Sequence, residues 1–540
     1  MLLLVFGAGD ERFAGKWASR LAYSSKPMRV LIFHGYLLSG TGSNVYNASL
    51  AAALVRAGHE VHLFAQDRTP LELDWVDAVG DWDSGALRVT ARHEPAHATV
   101  YRPDLGGLLP VYVPDRYDDI VARPFSELSE AELDTYLEAN VESVREVSER
   151  VRPEVALANH LVMGPVILAR ALAGTRVGYA VKIHGSALEY VVKPHPRFLP
   201  HAREGLAGAR GILTGSRHTA ESLWKALDDP ELPRRTRLGP PGVDVEAFVA
   251  REPEAARAGL RDLISRLEAL GDDRVAGGSP SSFAREPAEA ARVLAAIEPG
   301  SDRLVVFVGK LIGSKGVELL IAAWPLVLAA VPDARLVLVG FGALRSELER
   351  LARELAAGEL GAARAIRAED RRELEHLAAF LDQLDPTSRE IYVQSARDMP
   401  GRLGWAGRLD HHELADLLPV AEALVVPSTF PEAFGMVAVE GASCGALPVV
   451  ARHSGLAEVA EALGAAVPLV ARPWLSFDLG PNAVQELAAA LIGWLGAPEA
   501  VRKATRDAMV SITRERYSWE GVGRTVIAAA RGELAGLPDP

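Results

Sequence analysis

The chain has 540 residues, of which 49% are hydrophobic and 24% charged, and a formal net charge of -13. That length suits roughly two to four domains, and the acidic balance argues against nucleic acid as an obligate partner. Cys444 is the single cysteine, which excludes an internal disulfide and a cysteine-based zinc site and favours a reducing, cytoplasmic setting. The longest apolar run, residues 319–331, contains Pro325 and falls short of the ~20 residues a membrane span needs, so it reads as a buried helix. Peripheral membrane contact stays open.

In chain order, residues 1–27 read as an extension, because a complete strand starts at Met28. Residues 28–34 (MRVLIFH) form that strand. A loop carrying Gly40 and Gly42 follows, then a helix over 45–57 and a second strand over 59–65. This is the opening of a Rossmann-like half. Residues 66–125 are rich in Asp, Pro and Gly and poorly periodic. Asp81-Trp82-Asp83 falls there and reads as a solvated turn rather than a metal motif. Residues 128–152 read as an amphipathic helix, 154–159 as a strand and 161–173 as a helix. Residues 177–183 form a strand that ends in His184-Gly185-Ser186. A histidine at the carboxyl end of a parallel strand points into the ligand crevice of a doubly wound sheet, where His184 can meet a sugar hydroxyl or a developing charge. His160 ends a strand in a similar way. A strand over 211–216 and a helix over 217–225 follow.

Residues 249–299 are Ala-, Glu- and Arg-rich and read as helical, with a break over 271–282. Residues 304–309 open a second Rossmann-like half. Lys310 and Lys315 follow and flank Gly313-Ser314 ahead of the helix. Two cations beside a helix start suit a diphosphate. A strand over 335–340, a helix over 343–357, a charge-rich helical stretch over 358–400 and a helix over 413–420 complete the approach to a strand at 423–426. Strands at 447–451 and 466–470 and helices at 483–495 and 499–514 come after.

The stretch 427–445, PSTFPEAFGMVAVEGASCG, organises the rest. It follows a buried strand, and a helix starts near Gly435. Met436, Val437, Ala438, Val439, Gly441, Ala442 and Cys444 are apolar or small, so the helix is buried on most sides. Glu440 is its only charge, and a buried carboxylate needs a partner; two vicinal hydroxyls would serve. Glu432 precedes it by eight residues. The backbone N–H groups of the helix start, from Phe434 through Gly435 and Met436 to Val437, form an anion site. A carboxylate, an anion cradle and a second carboxylate in sequence suit a nucleotide sugar.

Glu432 and Glu440 in this context resemble the E-x7-E signature of glycosyltransferase family 4, the large retaining group 1 family. The resemblance extends over most of residues 28–524 outside 249–299 and 358–400. Pro240-Pro-Gly-Val-Asp-Val-Glu-Ala-Phe248 is similar to the family's hinge, 405–413 to the segment beside the nucleotide base, and 517–524 to the ending whose helices cross back to the N-terminal domain.

The resemblance implies the α/β GT-B fold, with two doubly wound Rossmann-like domains facing a cleft. Residues 28–248 form the acceptor side and 300–515 the donor side, with an insertion at 358–400, a helical insertion or linker at 249–299, and a returning helix at 516–540. It implies a hexosyltransferase that moves a sugar from a nucleotide-diphosphate sugar to a small-molecule or glycan hydroxyl, with no cofactor and no metal. His184 and Glu432 would be catalytic. Gly40, Gly42, Lys310, Lys315, Phe434, Gly435, Met436, Val437 and Glu440 would hold the donor, Glu440 on the ribose and Gly40 and Gly42 against the phosphates. The family has an arginine where this chain has Lys310, which keeps the charge and loses the bidentate fork. Another GT-B sugar-phosphate enzyme, an epimerase or phosphorylase, and a non-catalytic subunit of the same fold are the alternatives.

Overall fold

A computed structural model describes residues 26–112, 121–270 and 285–540. The extension proposed at 1–27 lies almost entirely outside these residues, as does the break over 271–282. Among the described residues, two parallel sheets carry the architecture. The N-terminal sheet has nine strands in the order Thr236–Leu238, Gly211–Thr214, Gly178–Ile183, Val155–Asn159, Arg29–Phe33, Glu60–Phe64, Ala98–Arg102, Ala78–Asp83 and Ala86–Ala91, all parallel except the last pair. The C-terminal sheet has six parallel strands, Leu403–Gly407, Ala334–Val339, Arg303–Val308, Ala423–Val426, Leu447–Ala451 and Ser476–Phe477. Central strands such as Val155–Asn159 and Ala423–Val426 are buried throughout. That is why they read as continuous apolar runs rather than alternating ones.

The strand order reverses at Arg29–Phe33, which lies between Glu60–Phe64 and Val155–Asn159. It reverses again at Arg303–Val308, between Ala334–Val339 and Ala423–Val426. Loops at such a switch diverge and open a crevice at the carboxyl ends of the strands. The loops after Phe33, Asn159, Val308 and Val426 are therefore the ones that build a site.

Local chemistry sets the elements in place. Helix Glu130–Val151 starts with a capping box between Ser129 and Glu132 and ends at Arg152 in the left-handed region. Its buried stripe of Leu133, Leu137, Val141 and Val144 enters the N-terminal core. Helices Pro253–Leu270 and Pro287–Ala295 send Leu260, Leu263, Leu267 and Leu294 into the C-terminal core. The last long helix, Trp519–Arg531, returns to the N-terminal domain, where Trp519, Val522 and Val526 pack with Leu50, Leu54 and Leu213.

Two local expectations are corrected. Asp81-Trp82-Asp83 is the end of strand Ala78–Asp83, which forms a hairpin with Ala86–Ala91. Both carboxylate oxygens of Asp81 accept from Arg102, at 2.7 and 2.9 Å, and Trp82 donates to Glu146. Its pairing comes from Ala98–Arg102, a distant partner that a short run of residues does not reveal. The strand expected at 466–470 is not formed. Leu469–Trp474 is a 3-10 segment between Pro468 and Leu475, and strand Ser476–Phe477 takes the sheet edge instead.

Candidate functional site

The C-terminal half of the site is the loop 427–435 with the helix that follows it. Gly435 has a φ of 117° and caps the start of helix Met436–Ser443. That φ favours glycine, and a side chain there would also press on Leu456, which would have to shift. Ala438 donates to the Gly435 carbonyl at 3.1 Å. The amides of Met436 and Val437 lie in the first turn, where such groups lack intrahelical acceptors. Phe434 is buried against Tyr517, with ring centroids 5.5 Å apart. It therefore offers backbone rather than its ring.

Glu432 is set by its neighbours. It pairs with Lys315, Ser428 Oγ donates to it at 2.7 Å, and its backbone N–H donates to Ser454 Oγ at 2.9 Å. His453 donates to the Ser428 carbonyl at 2.7 Å and fixes the loop from the other side. Burial works to raise the Glu432 carboxyl, but Lys315 and Ser428 outweigh it and hold it below the usual range. Lys315 ends the short turn Gly313–Lys315, and Gly316 approaches the Pro427 carbonyl too closely for a side chain. Backbone contact thus locks the lysine loop to the Glu432 loop. Lys310 stands over the Phe341 ring at 6.0 Å.

Glu440 is buried, and its carboxylate accepts from His411 Nε2 at 2.8 Å. Its partner in the protein is therefore an imidazole. Burial alone would lower His411, but the Glu440 carboxylate, with Asp244, wins and raises it. His411 leans on Phe248 with centroids 4.7 Å apart. It begins helix His411–Leu417, whose capping box joins Asp410 and Glu413, and Arg285 bridges both of those carboxylates at 2.6 Å. The sequence held one sign of His411, a D-x-x-E cap placing it in the first turn, but nothing local says that the turn faces Glu440.

From the N-terminal domain, His184 follows strand Gly178–Ile183 and donates from Nε2 to Asn159 Oδ1 at 2.9 Å. Burial, then the neighbouring His160, Lys182 and His34, push it well below the ordinary imidazole range. His160 is buried, with its ring 4.8 Å from that of His184 and neither nitrogen hydrogen-bonded among the described residues. Gly40 has a φ of 90°, and Gly42 is the first residue of helix Gly42–Arg56 with open space at its α-carbon. The domains meet at these loops. A side chain on Gly185 would touch Ala433, and Gly215 lies against the Ala433 carbonyl. The structure thus gathers Lys315, Glu432 and the Gly435 helix start into one cluster, places Glu440 with His411 farther along the same helix, and sets the His184 turn against the Glu432 loop. Among the described residues no three His, Cys, Asp or Glu side chains are grouped to hold a metal ion.

Two parallel-sheet domains meeting at their switch-point loops define the GT-B class of fold. The solved sucrose-phosphate synthase from Thermosynechococcus elongatus superposes with a TM-score of 0.56 at 18% identity, covering 94% of this chain and 99% of that one. Residues 302–385 and 388–515 match the family models described as glycosyl transferases group 1. Glycogen synthase of Mycobacterium tuberculosis is 33% identical over 138 residues, 25% of this chain, so the match spans only 30% of that relative's length. D-inositol 3-phosphate glycosyltransferase of Pseudarthrobacter chlorophenolicus is 24% identical over 425 residues, 77% of this chain and 75% of that protein. No described helix is long and apolar enough to cross a membrane.

Proposed function

We propose that the protein is a retaining glycosyltransferase that moves a sugar from a nucleotide-diphosphate sugar to a hydroxyl acceptor without a divalent metal. The observation that carries this reading is the Lys315–Glu432 pair at the start of helix Met436–Ser443. A cation, a carboxylate and free-ended amides converge there at a switch-point crevice. The group 1 matches over the same residues support it.

Transfer breaks the bond from the anomeric carbon to the diphosphate oxygen and forms one to the acceptor oxygen. Negative charge grows on the departing diphosphate and positive charge on the sugar. Lys310, Lys315 and the amides of Met436 and Val437 stabilise the leaving group through interactions that strengthen as its charge develops. Retention follows from front-face attack, with the departing phosphate oxygen taking the acceptor's proton. Glu432 is engaged by Lys315 and Ser428, which suits holding sugar hydroxyls rather than forming a covalent intermediate. Glu440 holds the ribose through the oxygen that His411 leaves available. His184 reaches the sugar from the N-terminal domain, which also binds the acceptor, and the setting is cytoplasmic.

A thermal-shift screen of nucleotide sugars tests the reading. The right donor at ~100 times its dissociation constant adds about 2.7 kcal/mol. Slow hydrolysis of that donor, followed by anomeric NMR of a transfer product, completes the test. No shift and no turnover with any donor would sink the proposal.

A further inference from the structure

Three asparagines in the N-terminal domain, Asn44, Asn47 and Asn159, are fully buried, and His34 is 3% exposed beside them. A buried amide without partners is costly, because it gives up its hydrogen bonds to water. These pay no such penalty, because they bond to one another in a directional chain. Its orientation is settled by backbone carbonyls, which can only accept. Asn159 Nδ2 donates to the Phe33 carbonyl at 3.3 Å, so its oxygen faces His184, and that contact of 2.9 Å requires a proton on His184 Nε2. Asn47 Nδ2 donates to the Ser43 carbonyl at 2.8 Å, so Asn47 Oδ1 receives Asn159 Nδ2 at 2.7 Å. The same Asn47 nitrogen lies 3.0 Å from His34 Nδ1, which must be bare. His34 Nε2 then carries the proton and donates to the Leu37 carbonyl at 3.0 Å and to Asn44 Oδ1 at 3.1 Å. Asn44 Nδ2 ends the chain on the Ser39 carbonyl at 2.5 Å, next to Gly40. Each link leaves the next only one orientation.

We propose that Asn159, Asn47, His34 and Asn44 are positioning residues that hold His184 in its Nε2–H tautomer and tie that setting to the Ser39–Gly40 turn. This rests on the transferase reading above. His184 then offers a lone pair at Nδ1, so it accepts a hydrogen bond from a sugar hydroxyl instead of donating one. The groups around His184 keep it neutral. His160 stands 4.8 Å away, the Tyr46 ring 5.0 Å away, and Lys182 and His34 add positive or potentially positive charge, which no carboxylate among the described residues balances. Lys182 is itself buried, donating to the Gly239 carbonyl at 2.5 Å and facing Tyr46 at 5.4 Å. An order change at the glycine loop, where the donor phosphates are proposed to lie, would reach His184 through four side chains.

The test uses the full chain labelled with 15N-histidine, read by two-bond proton–nitrogen NMR together with steady-state kinetics. Wild-type His184 is expected to show a protonated Nε2 and a bare Nδ1 at both pH 6 and pH 8, values that bracket roughly the ordinary imidazole range. Asn159→Leu removes the acceptor. It should give a mixture of tautomers and a kcat lower by on the order of 10²-fold, with donor KM little changed. Asn47→Leu, which does not touch His184, should shift both readouts in the same direction. Asn159→Asp places a carboxylate on Nε2, so a second proton joins His184 at low pH and kcat should recover as pH rises. A wild-type His184 protonated on Nδ1 would overturn the proposal, even if every variant misfolded. So would loss of the tautomer in Asn159→Leu with kcat intact, a result that leaves the transferase reading standing. An intact tautomer in a protein that turns over no nucleotide sugar would overturn the transferase reading, and with it the hydroxyl role given to Nδ1.

Discussion

Glu432 and Glu440 stand eight positions apart, and different basic side chains oppose them. Glu432 faces Lys315, whereas Glu440 is matched by His411. If Glu440 meets the ribose, which is unchanged by reaction, Glu440→Gln should mainly raise donor KM, because uniform binding is what it removes. If Glu432 meets the sugar, where charge develops, Glu432→Gln should lower kcat by about 10²-fold or more while the nucleoside diphosphate still binds. Steady-state kinetics on both variants decide it, and a reversed pattern would exchange the two roles. A third carboxyl behaves differently. Glu318, in the first turn of helix Val317–Ala330, is buried, its Oε2 has no hydrogen-bond partner among the described residues, and burial lifts it to about 7. The folded chain keeps a proton there that the unfolded chain releases near about pH 4.3. The folded state therefore binds more protons across that interval, and stability falls as pH rises towards 7. Glu318→Gln should be close to neutral at acid pH and stabilising above neutrality, by up to about 3 kcal/mol. Denaturant midpoints at pH 5 and pH 8 measure this; equal effects at the two would refute the assignment.

Among the elements, the turn Gly313–Lys315 has the sharpest consequence. It is held from two directions, by Gly316 against the Pro427 carbonyl and by Glu369, which accepts from the Gly313 N–H at 2.8 Å. Lys315 is thus presented by a braced loop. Lys315→Ala should weaken binding of a free nucleoside diphosphate by the worth of a charge-assisted contact, about 1.5–3 kcal/mol, and Lys310→Ala should act in the same direction. Calorimetry showing unchanged affinity in both would remove the phosphate assignment. Glu369 belongs to the 358–400 stretch, whose helical content was legible from composition but whose contact with the Gly313–Lys315 turn was not. The same limit recurs elsewhere. Strand Arg303–Val308 was readable because burial on both faces writes itself as an apolar run after Arg303, and helix Met436–Ser443 because apolar and small residues surround its single charge, Glu440. Residues 466–470 carry a similar run, yet Leu469 is 74% exposed and forms a 3-10 turn, since Pro468 and Pro473 bracket it and Ser476–Phe477 takes the edge. The Glu440–His411 pair and the asparagine chain were illegible for another reason. Each joins residues brought together by strand order, and His184 with Ser39 are neighbours only through Asn159, Asn47, His34 and Asn44.

At the scale of the whole molecule, the proposed transfer needs both domains on one substrate, so the contacts across the cleft would govern how the site assembles. Val243 pairs with Ser518 beside the hinge, and the exposed rings of Tyr190 and Phe430 stack at 5.5 Å. A polar link between the domains is made by Glu458. It sits on helix Ser454–Gly464 of the C-terminal domain and accepts from the backbone N–H groups of Arg217 and His218, at 2.8 and 3.0 Å. Those amides begin helix Arg217–Leu227 of the N-terminal domain, where Ser216 already caps the Thr219 N–H. A carboxylate across a helix N-terminus is favoured by both the open amides and the helix dipole. In Glu458→Ala, water would replace the carboxylate at little cost to either domain, but the closed arrangement would lose on the order of 1–2 kcal/mol. Each domain should therefore keep its own stability while the cleft opens more often. Small-angle scattering should show a larger radius of gyration in the variant without ligand, reversed by a saturating donor. Donor KM should rise several-fold as closure draws on binding energy, at most about 30-fold for 2 kcal/mol, with kcat little altered once the donor saturates. An unchanged radius together with an unchanged KM would mean that Glu458 only caps a helix, and that apolar contact at Ala433 and Gly185 holds the domains together without it.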